Sequence, residues 1–415
     1  MNDKYATSLR GFKDILPEDT QYYYLIEEAI KTITNSYFIH ELRTPLLENT
    51  SIFDKSLGSQ TDIVTKEMYV FNDKNGESVC LRPEGTSSIV RSAIENNLIY
   101  DRGIKKRKYW YYGPMFRYER PQKGRLRQFN QFGLEYFGFS GTSSDIELII
   151  IINKLLAILK IENYELHINS IGDQIDRNEY GTKIRLLMNK NLSILSDSEK
   201  ATLSNNPLRL LDSKNAKIKD ILSSIPVLYE TLNDKSKKRF DLVTELLENL
   251  EINFVVDNNI VRGLDYYNDT VMEWKTDKLG SQDAICAGGR YDQLIESNYS
   301  IDMPAVGVAV GVERLIELLR QNSASSNESK YVILNDCGDD INSYIKTSEL
   351  IRKEYPKLSF MNADPESSLS SQMKYAKKIN DKFAIIINNN QIKLQKFKDN
   401  QNFNIDISEL KNYLN

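Results

Sequence analysis

The order of apolar and polar residues predicts helices and antiparallel strands near the start of the chain. Residues 20–38 have the pattern of a helix, with Thr20 as its N-cap. Two apolar runs flank Asn75-Gly76, a dipeptide that favours a tight β-hairpin turn. A second helix is expected after Thr86.

Two longer apolar runs, residues 108–121 and 126–139, predict an antiparallel strand pair joined by a polar loop. A helix is expected over 145–160. Its apolar stretch contains Asn153 and Lys154 and is too short to cross a bilayer, so it predicts a buried helix.

The middle of the chain combines a helical stretch with a return of strand patterns. Residues 170–250, rich in Leu, Lys, Asn and Ser, predict a helical insertion that carries no chemical motif. Strands are expected within 252–274 and 285–292. Residues 305–321 predict a strand of small residues that continues into a helix.

A polar stretch at 322–330 predicts a linker between two domains. Beyond it, strands and helices alternate over 331–415, which favours a small α/β domain with a largely parallel sheet. The first domain is then residues 1–321. The length of 415 residues agrees with two or three domains.

Composition narrows the class of protein. Apolar residues make up 40% and charged residues 27%, as in an ordinary soluble globular protein. The net charge of -4 means that a nucleic-acid partner would require a local basic patch.

Cys80, Cys286 and Cys337 are widely separated, which argues against disulfides and a zinc site and makes the cytosol the expected compartment. The N-terminus lacks the apolar core of a secretory signal, and two histidines offer little for a His-based metal site.

One such basic patch lies between the two long strands. Residues 117–127 hold five cations and one carboxylate, Glu119. Arginine binds phosphate through paired donors, and Phe129 and Phe132 among the cations are typical of a platform for a nucleobase. The alternative is a solvated hairpin with salt bridges.

The motif "LRPEGT", residues 81–86, predicts a tight turn at Pro83 and Gly85 between a strand and a helix. Glu84 could hold an ammonium group there, and Thr86 could add a hydroxyl. The alternative is a capped turn in which Thr86 is the N-cap.

The motif "GVAVGVERL", residues 307–315, has two glycines four apart, which allow close approach of a ligand or another backbone. Arg314 falls in the first helical turn, where a cation opposes the helix dipole, so a phosphate partner would help to explain it. The alternative is tight strand packing with Glu313 and Arg314 exposed.

The run "IVRGLDYY", residues 260–267, has a strand pattern in which Arg262 and Tyr266 share a face. Tyr267 then points to the opposite face, unless a turn at Gly263 resets the register. The alternative is a surface arginine beside two core tyrosines. "CAGGRYD", from Cys286, adds a glycine pair against which a small ligand could lie.

Together, in order and spacing, these motifs resemble the histidyl-tRNA synthetase family of class II aminoacyl-tRNA synthetases. Residues 113–135 resemble motif 2 of the class, and residues 307–315 resemble motif 3. "IVRGLDYY" and "AGGRYDQL" resemble the two histidine-specific motifs, and "RGFKDILPED" resembles the N-terminal signature. Residues 20–53 resemble motif 1, a dimer-interface helix and strand, so a homodimer is expected.

The resemblance implies a fold and a reaction. The fold is an α+β catalytic domain with a mixed, mainly antiparallel sheet flanked by helices, followed by a C-terminal α/β anticodon-binding domain. Histidine and ATP would form histidyl-adenylate, with Mg²⁺ carried by the ATP and no structural metal bound by the protein. Histidine would then pass to the 3′ end of tRNA(His).

The resemblance also implies roles for the cations. Arg117 and Arg262 would stabilise charge on the α-phosphate as the catalytic residues. Arg125 and Arg314 would hold the outer phosphates. The implied adenine contacts are Phe129 stacked on one face, Arg314 on the other, and Glu119 nearby.

The implied histidine site surrounds the imidazole and the α-amino group. Tyr267 and Glu135 would hydrogen-bond the two imidazole nitrogens. The remaining implied contacts are Glu84, Thr86 and Gln131 on the α-amino group, with Arg262, Tyr266 and Tyr291 lining the pocket.

The same resemblance predicts where tRNA would bind. Arg120 and Gln122 would meet the acceptor end, and the C-terminal domain would contact the anticodon. Tyr118 and Asn130 stand where the family often has His, and residues 387–392 depart from its usual Gly-Glu-rich turn.

Two other classes of protein share parts of this pattern. A catalytically inactive paralogue that regulates ATP phosphoribosyltransferase usually lacks the anticodon domain and the arginine of "RGLD", and both are present here. An RNA-binding or sensor module would need the basic hairpin but not Glu84, Glu135 and Tyr267.

Overall fold

The chain divides into two compact units, Met1–Asn322 and Ser323–Asn415. The computed structural model describes residues 7–58, 61–99, 106–122, 124–261, 264, 266–280, 283–322, 330–338, 340–380, 382–388, 391–398 and 401–414. Of the predicted linker, residues 322–330, only the two end residues belong to the described part of the chain.

The first unit is built on an eight-stranded sheet and a small three-stranded sheet. The strands are β1 (His40–Glu41), β2 (Leu47–Asn49), β3 (Tyr69–Asn72), β4 (Ser78–Leu81), β5 (Arg107–Phe116), β6 (Gln128–Phe137), β7 (Glu165–Ser170), β8 (Val255–Val256), β9 (Asn268–Lys275), β10 (Ala284–Arg290) and β11 (Ala305–Gly311).

The large sheet is mixed and mainly antiparallel, which confirms the predicted fold class. Its order is β1-β5-β6-β11-β10-β9-β7-β8. Among the described strands of this sheet, only the two outermost pairs, β1 with β5 and β7 with β8, are parallel. The long hairpin β5–β6 therefore lies beside the antiparallel pair β10–β11, which comes from much later in the chain, at the centre of the sheet.

The small sheet contains the predicted hairpin. Strands β3 and β4 pair antiparallel, and β2 pairs with the other edge of β4. Gly76 adopts a φ of +86°, and the Asp73 carboxylate accepts the amides of Asn75 and Glu77. The turn is therefore held by an aspartate as well as by glycine.

Helices cover the large sheet and supply most of the core. The α-helices of the first unit are α1 (Pro17–Ser36), α2 (Thr50–Leu57), α3 (Thr86–Glu95), α4 (Ser143–Ile158), α5 (Gln174–Asn189), α6 (Asp197–Asn205), α7 (Ala216–Leu222), α8 (Leu228–Thr231), α9 (Asp234–Asn249), α10 (Asp292–Tyr299) and α11 (Val312–Asn322). Short 3-10 helices add Leu192–Ile194, Pro207–Asp212 and Asp277–Leu279, and Ile63–Glu67 forms a π-helical turn.

Helix α4 is buried, as its apolar run predicts. Ile149, Ile152 and Leu156 have no exposed surface and pack in one core with side chains of α1 and β6. None of the helices in the described part of the chain has the length and apolar composition of a bilayer span.

The predicted N-cap of the first helix is wrong. The helix begins at Pro17, after the N-cap residue Leu16, because proline fits the first helical position, where no amide is needed. Thr20 lies inside the first turn, and its hydroxyl donates to the Pro17 carbonyl at 2.9 Å.

Residues 170–250 are largely helical, as predicted, but the last helix of this segment belongs to the main core. Phe240, Val243 and Leu247 of α9 pack with α4 and the central strands. The preceding helices α5 to α8 pack in a second core with Tyr266 and Tyr267. The segment thus adjoins the region of the histidine-specific motif.

The second unit is a five-stranded sheet with helices. Its elements are β12 (Lys330–Asn335), α12 (Ile341–Glu354), β13 (Ser359–Asn362), α13 (Leu369–Ile379), β14 (Phe383–Asn388), β15 (Gln391–Lys396), β16 (Asn402–Ile405) and the 3-10 helix Ile407–Asn412.

The prediction of a largely parallel sheet is wrong for half of this unit. Strand β12 pairs parallel with β13 and β14, but β14–β15 and β15–β16 are antiparallel. Only two residues separate β14 from β15, which is too few for the crossover that parallel strands require. The helix predicted at the end of the chain is a 3-10 helix.

A buried ion pair ties the large sheet to α4. The Arg290 guanidinium and the Asp145 carboxylate are both fully buried and lie 2.9 Å apart. Arg290 also donates to the carbonyls of Phe139 and Gly141 and to the Ser144 hydroxyl, each at 2.9 Å. This network fixes the end of β10 immediately before Tyr291.

Replacing Arg290 by methionine should destabilise the first unit by about 3–5 kcal/mol, because it leaves Asp145 buried without its cation. The only two tryptophans of the chain, Trp110 and Trp274, lie in this unit. Urea unfolding followed by tryptophan fluorescence therefore reports on it alone. The exposed pair Lys66–Asp62 provides the control, since K66A should change stability by less than about 0.5 kcal/mol. Equal small effects of both variants would contradict this assignment.

Candidate active site

The four sequence motifs meet in one cavity of about 680 Å³ on the large sheet. This volume is typical of a small-molecule site. The predicted site residues that line the cavity are Glu84, Thr86, Arg117, Glu119, Arg125, Phe129, Gln131, Tyr266, Tyr267, Tyr291 and Arg314.

Three of the predicted site residues that the structure describes do not line this cavity. Glu135 lies directly behind its wall, hydrogen-bonded to Thr86. Arg120 and Gln122 are exposed on the β5–β6 loop. Arg262 lies outside the described residues.

Glycines make room for two side chains, Glu135 and Tyr111, that lie behind the lining of the cavity. Gly307 of β11 pairs with Glu135 of β6, and a Cβ at Gly307 would lie 2.0 Å from Glu135 Oε2. The ring of Tyr111 lies over Gly85 and Gly133, where an added Cβ would come within 2.2 and 2.3 Å of ring carbons. These positions must therefore be glycine because a neighbouring side chain fills the space of a Cβ, whereas the sequence pattern suggests close approach of a ligand or another backbone.

Glu135 is the centre of a buried polar network. Thr86 donates its hydroxyl to Glu135 Oε1 at 2.6 Å, and the Tyr291 hydroxyl donates to Oε2. Burial raises the pKa of Glu135 to about 8, and the nearby Glu84 carboxylate also raises it, while the two hydroxyls oppose the shift. The site therefore contains a carboxyl group that exchanges a proton near neutral pH.

Glu84 is fixed by the start of helix α3. Its carboxylate accepts the backbone amides of Thr86 at 2.7 Å and Ser87 at 2.8 Å. Thr86 is the first residue of α3 and Gly85 is the N-cap, so the alternative in which Thr86 caps the helix is wrong. The Glu84 side chain satisfies these amides itself and holds a negative charge at the cavity wall.

Tyr266 and Tyr267 both line the cavity, so the strand pattern predicted for this run is wrong. Strand β9 begins only at Asn268, and the two tyrosines lie in the turn before it. Their ring centroids are 4.6 Å apart, and Tyr291 packs on Tyr266 at 5.6 Å. The amide oxygen of Gln131 is buried nearby without a hydrogen-bond partner in the described part of the chain.

At the other end of the cavity, three guanidinium groups approach one another. Arg117 donates to the Pro83 carbonyl at 2.8 Å, and Arg314 donates to the Ala284 carbonyl. Arg125 forms an ion pair with Glu119. Burial lowers the pKa of Arg314, and the charges of Arg125 and Arg117 lower it further. The alternative with Arg314 exposed is wrong, since it is half-buried in this cluster.

Phe129 provides an aromatic surface beside these cations. The Arg117 guanidinium carbon lies 5.4 Å from the centre of its ring. Glu313 is turned away from solvent and accepts the backbone amide of Asn130 at 2.9 Å. A flat, electron-rich ligand with negative charges would match this combination of ring and guanidinium groups.

Several cavity residues were not predicted. Glu273 and Lys275 alternate on β9, a period-2 signal that could have found them. Lys214 and Lys219 come from the helical insertion, where no local pattern distinguishes them from other surface lysines. Tyr111, which lies behind the lining over Gly85 and Gly133, sits within an aromatic strand and resembles ordinary core. The unpredicted charged residues of the lining are Asp212, Lys214, Lys219, Asp257, Glu273, Lys275, Asp283 and Glu313.

Comparison with known proteins agrees with this geometry. An antiparallel sheet carrying an arginine-lined cavity is the architecture of a class II aminoacyl-tRNA synthetase. The family model described as "Histidyl-tRNA synthetase" matches residues 11–315. The chain belongs to the histidyl-tRNA synthetase family.

Similar proteins were found at the level of sequence and of structure. A histidine–tRNA ligase of Buchnera aphidicola (subspecies Schizaphis graminum) is 43% identical over 95% of this chain and 92% of its own length. The crystal structure of apo S. aureus histidyl-tRNA synthetase superimposes with a TM-score of 0.78 at 28% identity, covering 99% of this chain and 100% of that one.

A third comparison concerns the regulatory alternative. A Bacillus halodurans C protein described as an ATP phosphoribosyltransferase regulatory subunit/histidyl-tRNA synthetase has a TM-score of 0.66 at 21% identity, over 92% of this chain and 97% of that one. At this identity the likeness shows a shared fold alone.

The buried carboxyl group should make stability depend on pH. Because the folded chain holds the Glu135 proton up to about pH 8 and an unfolded chain releases it near 4.5, wild-type stability should fall as the pH rises from 5 to 8. Glu135→Gln cannot titrate, so its stability relative to wild type should increase over this interval, by up to about 1.4 kcal/mol per pH unit.

Urea unfolding at pH 5, 6, 7 and 8 measures this difference. Glu162→Gln, on an exposed turn after α4, is the matched control and should follow wild type throughout. A stability difference between E135Q and wild type that stays constant with pH would show that Glu135 is ionised across this range.

Proposed function

We propose that the chain activates L-histidine with ATP in its cavity and transfers the histidyl group to the 3′ end of tRNA(His), as a histidine–tRNA ligase. The observation that carries this proposal is the shared cavity, in which a cluster of arginines adjoins a pocket of tyrosines around Glu135. Membership of the family and high-coverage relatives named histidine–tRNA ligase support the same activity.

The first step needs positioning and charge stabilisation. The histidine carboxylate attacks the α-phosphorus of ATP and pyrophosphate leaves, so negative charge increases on the phosphoryl oxygens. Arg117 is assigned to the α-phosphate, and Arg125 and Arg314 to the outer phosphates. Their mutual repulsion favours a polyanion, because phosphates would replace cation–cation contacts with paired charges.

The adenine is assigned to the ring of Phe129, with Arg314 on its other face and Glu119 nearby. Arg262 is assigned, from the family motif it belongs to, as a second catalytic cation on the α-phosphate beside Arg117. In the second step the terminal ribose hydroxyl of tRNA attacks the adenylate carbonyl, and AMP leaves. Neither step requires a covalent bond to the chain.

Histidine recognition is assigned to the network around Glu135. Glu135 and Tyr267 would contact the two imidazole nitrogens, and Tyr266 and Tyr291 would enclose the ring. A carboxyl group with a pKa of about 8 can share a proton with imidazole, so it accepts histidine in either charge state near neutral pH. The α-amino group is assigned to Glu84, Thr86 and Gln131, with Arg262 beside the pocket.

Mg²⁺ is proposed to enter with ATP. The cavity presents the carboxylates of Glu119 and Glu273 beside the arginines, a donor set suited to an ion that is also held by phosphate oxygens. Among the described residues there is no group of three or more acidic, His or Cys side chains that could hold a metal ion alone. Bound Mg²⁺ would shield charge on the outer phosphates, and the arginines would orient them.

Two surfaces are assigned to tRNA. Arg120 and Gln122 are exposed on the β5–β6 loop, where they would reach the acceptor end. The second unit is assigned to the anticodon. The three cysteines are free and buried, which fits the reducing cytoplasm as the compartment.

The test is exchange of labelled pyrophosphate into ATP with single amino acids. Exchange should require L-histidine and Mg²⁺ and should be absent with other amino acids. A chain ending at Asn322 should keep this exchange and lose most tRNA(His) charging, because the cavity lies wholly in the first unit.

The outcomes separate the alternatives. A regulatory paralogue would bind histidine without exchange, and an RNA-binding module would show neither histidine binding nor exchange. Loss of exchange and charging together in the shortened chain would contradict the assignment of separate roles to the two units.

We also infer a homodimer through the segment that resembles motif 1. Tyr24 and Phe38 are 69% and 79% exposed, and Leu46 and Leu47 are also exposed, an unusual apolar content for a solvated surface. Sedimentation equilibrium should give about twice 47.9 kDa. A monomer mass that persists at micromolar concentration would contradict the dimer.

A further inference from the structure

Arg127 lies at the base of the β5–β6 loop, and none of the roles assigned above involves it. This loop carries Arg117, Glu119 and Arg125. The carbonyl of Arg127 accepts the Arg117 amide at 2.9 Å, and its guanidinium Nε donates to the Glu119 carbonyl at 3.1 Å. Through its backbone and its side chain, Arg127 thus connects the two ends of the loop.

Arg127 also binds the N-terminal segment. Its amide donates to the Gly11 carbonyl at 2.9 Å, and Nη1 donates to the Arg10 carbonyl at 3.4 Å. Gly11 has a φ of +87°, and a Cβ there would lie 2.7 Å from Arg127 Cγ and 3.0 Å from Pro121 Cγ. A glycine is therefore needed at this position for both its backbone conformation and its contact with Arg127.

An aromatic series completes the connection. The Arg127 guanidinium carbon lies 3.6 Å from the centre of the Tyr118 ring. Tyr118 packs edge-on against Tyr69 at 5.6 Å, and Tyr69 packs against Phe12 at 6.1 Å. The series joins residues before the first helix, strand β3 and the β5–β6 loop, three segments that are distant in sequence.

We propose that Arg127 is a positioning residue for ATP: with Gly11 and the Tyr118 ring it fixes the β5–β6 loop, so that the N-terminal segment forms part of the active site. The proposal rests on the proposed function for its kinetic consequences. Arg127 does not line the cavity, so it acts through Arg117 and Glu119 and not by touching the nucleotide.

The test compares Arg127→Ala and Gly11→Ala with wild type in the full-length chain. Both variants should raise the KM for ATP and lower kcat in pyrophosphate exchange by about ten- to a hundredfold, since small displacements of charge-binding groups have effects of this size. The KM for histidine should stay within about twofold, because the Glu135 network is held by α3, β6 and Tyr291.

Arg185→Ala is the matched control. Arg185 likewise donates to two backbone carbonyls, those of Leu203 and Ser204, but lies in the helical insertion. Its ATP kinetics should match wild type. Arg127→Lys keeps the charge but not the planar stacking, so it should recover only part of the loss.

Three outcomes would overturn the proposal. The first is an unchanged KM for ATP in R127A. The second is an equal rise of the KM for ATP and the KM for histidine. The third is a smaller amount of active protein in which both KM values equal those of wild type. If R127A does not fold, G11A carries the same test, because it displaces the Arg127 side chain without removing it.

Calorimetric titration with ATP distinguishes this proposal from the proposed function. Weakened ATP binding in R127A, with wild-type binding in R185A, supports the positioning role even if the wild-type chain shows no histidine-dependent exchange. Equal ATP affinity in R127A and wild type overturns it, whatever reaction the cavity performs.

Discussion

Electrostatic repulsion among three guanidinium groups is the constraint on which the cavity depends. Arg117 and Arg125 come from the β5–β6 loop, and Arg314 comes from the start of α11, nearly 200 residues later in the chain. Burial lowers the pKa of Arg314, and the charges of Arg125 and Arg117 lower it further, so placing these cations together costs folding free energy. The antiparallel pairing of β6 with β11 brings these segments together, Glu119 and Glu273 offset part of the repulsion, and a bound polyanion would offset more of it.

The second constraint is the space required by buried side chains. Gly307 opposes Glu135 across the β6–β11 ladder, so a carboxyl group occupies the place where a Cβ would otherwise lie. Burial then raises the pKa of that carboxyl to about 8, and the hydroxyls of Thr86 and Tyr291 orient it. Strand pairing, glycine placement and proton affinity at the amino-acid pocket are therefore linked in one local arrangement.

Sequence patterns predicted the long hairpin and the buried helix α4, because these depend on periodicity, and the short motifs with the family they resemble predicted eleven of the residues that line the cavity. They failed where tertiary context decided the outcome. Tyr267 points into the same cavity as Tyr266 because a turn, and not a strand, precedes Asn268. Tyr111 shares its aromatic pattern with ordinary core positions, and Lys214 approaches the cavity only through packing of the helical insertion. The role of Arg127 could not be predicted from the sequence, because Gly11, which it contacts, and Tyr69, which it reaches through Tyr118, are remote in sequence.

Calorimetric titration of the wild-type chain with ATP, AMP and adenosine tests the convergence of the arginines on one nucleotide most directly. Affinity should fall as phosphates are removed, with adenosine binding about a hundredfold more weakly than ATP. Adenosine and ATP affinities equal within about twofold would mean that the guanidinium groups do not share the bound ligand, and the central claim would be wrong.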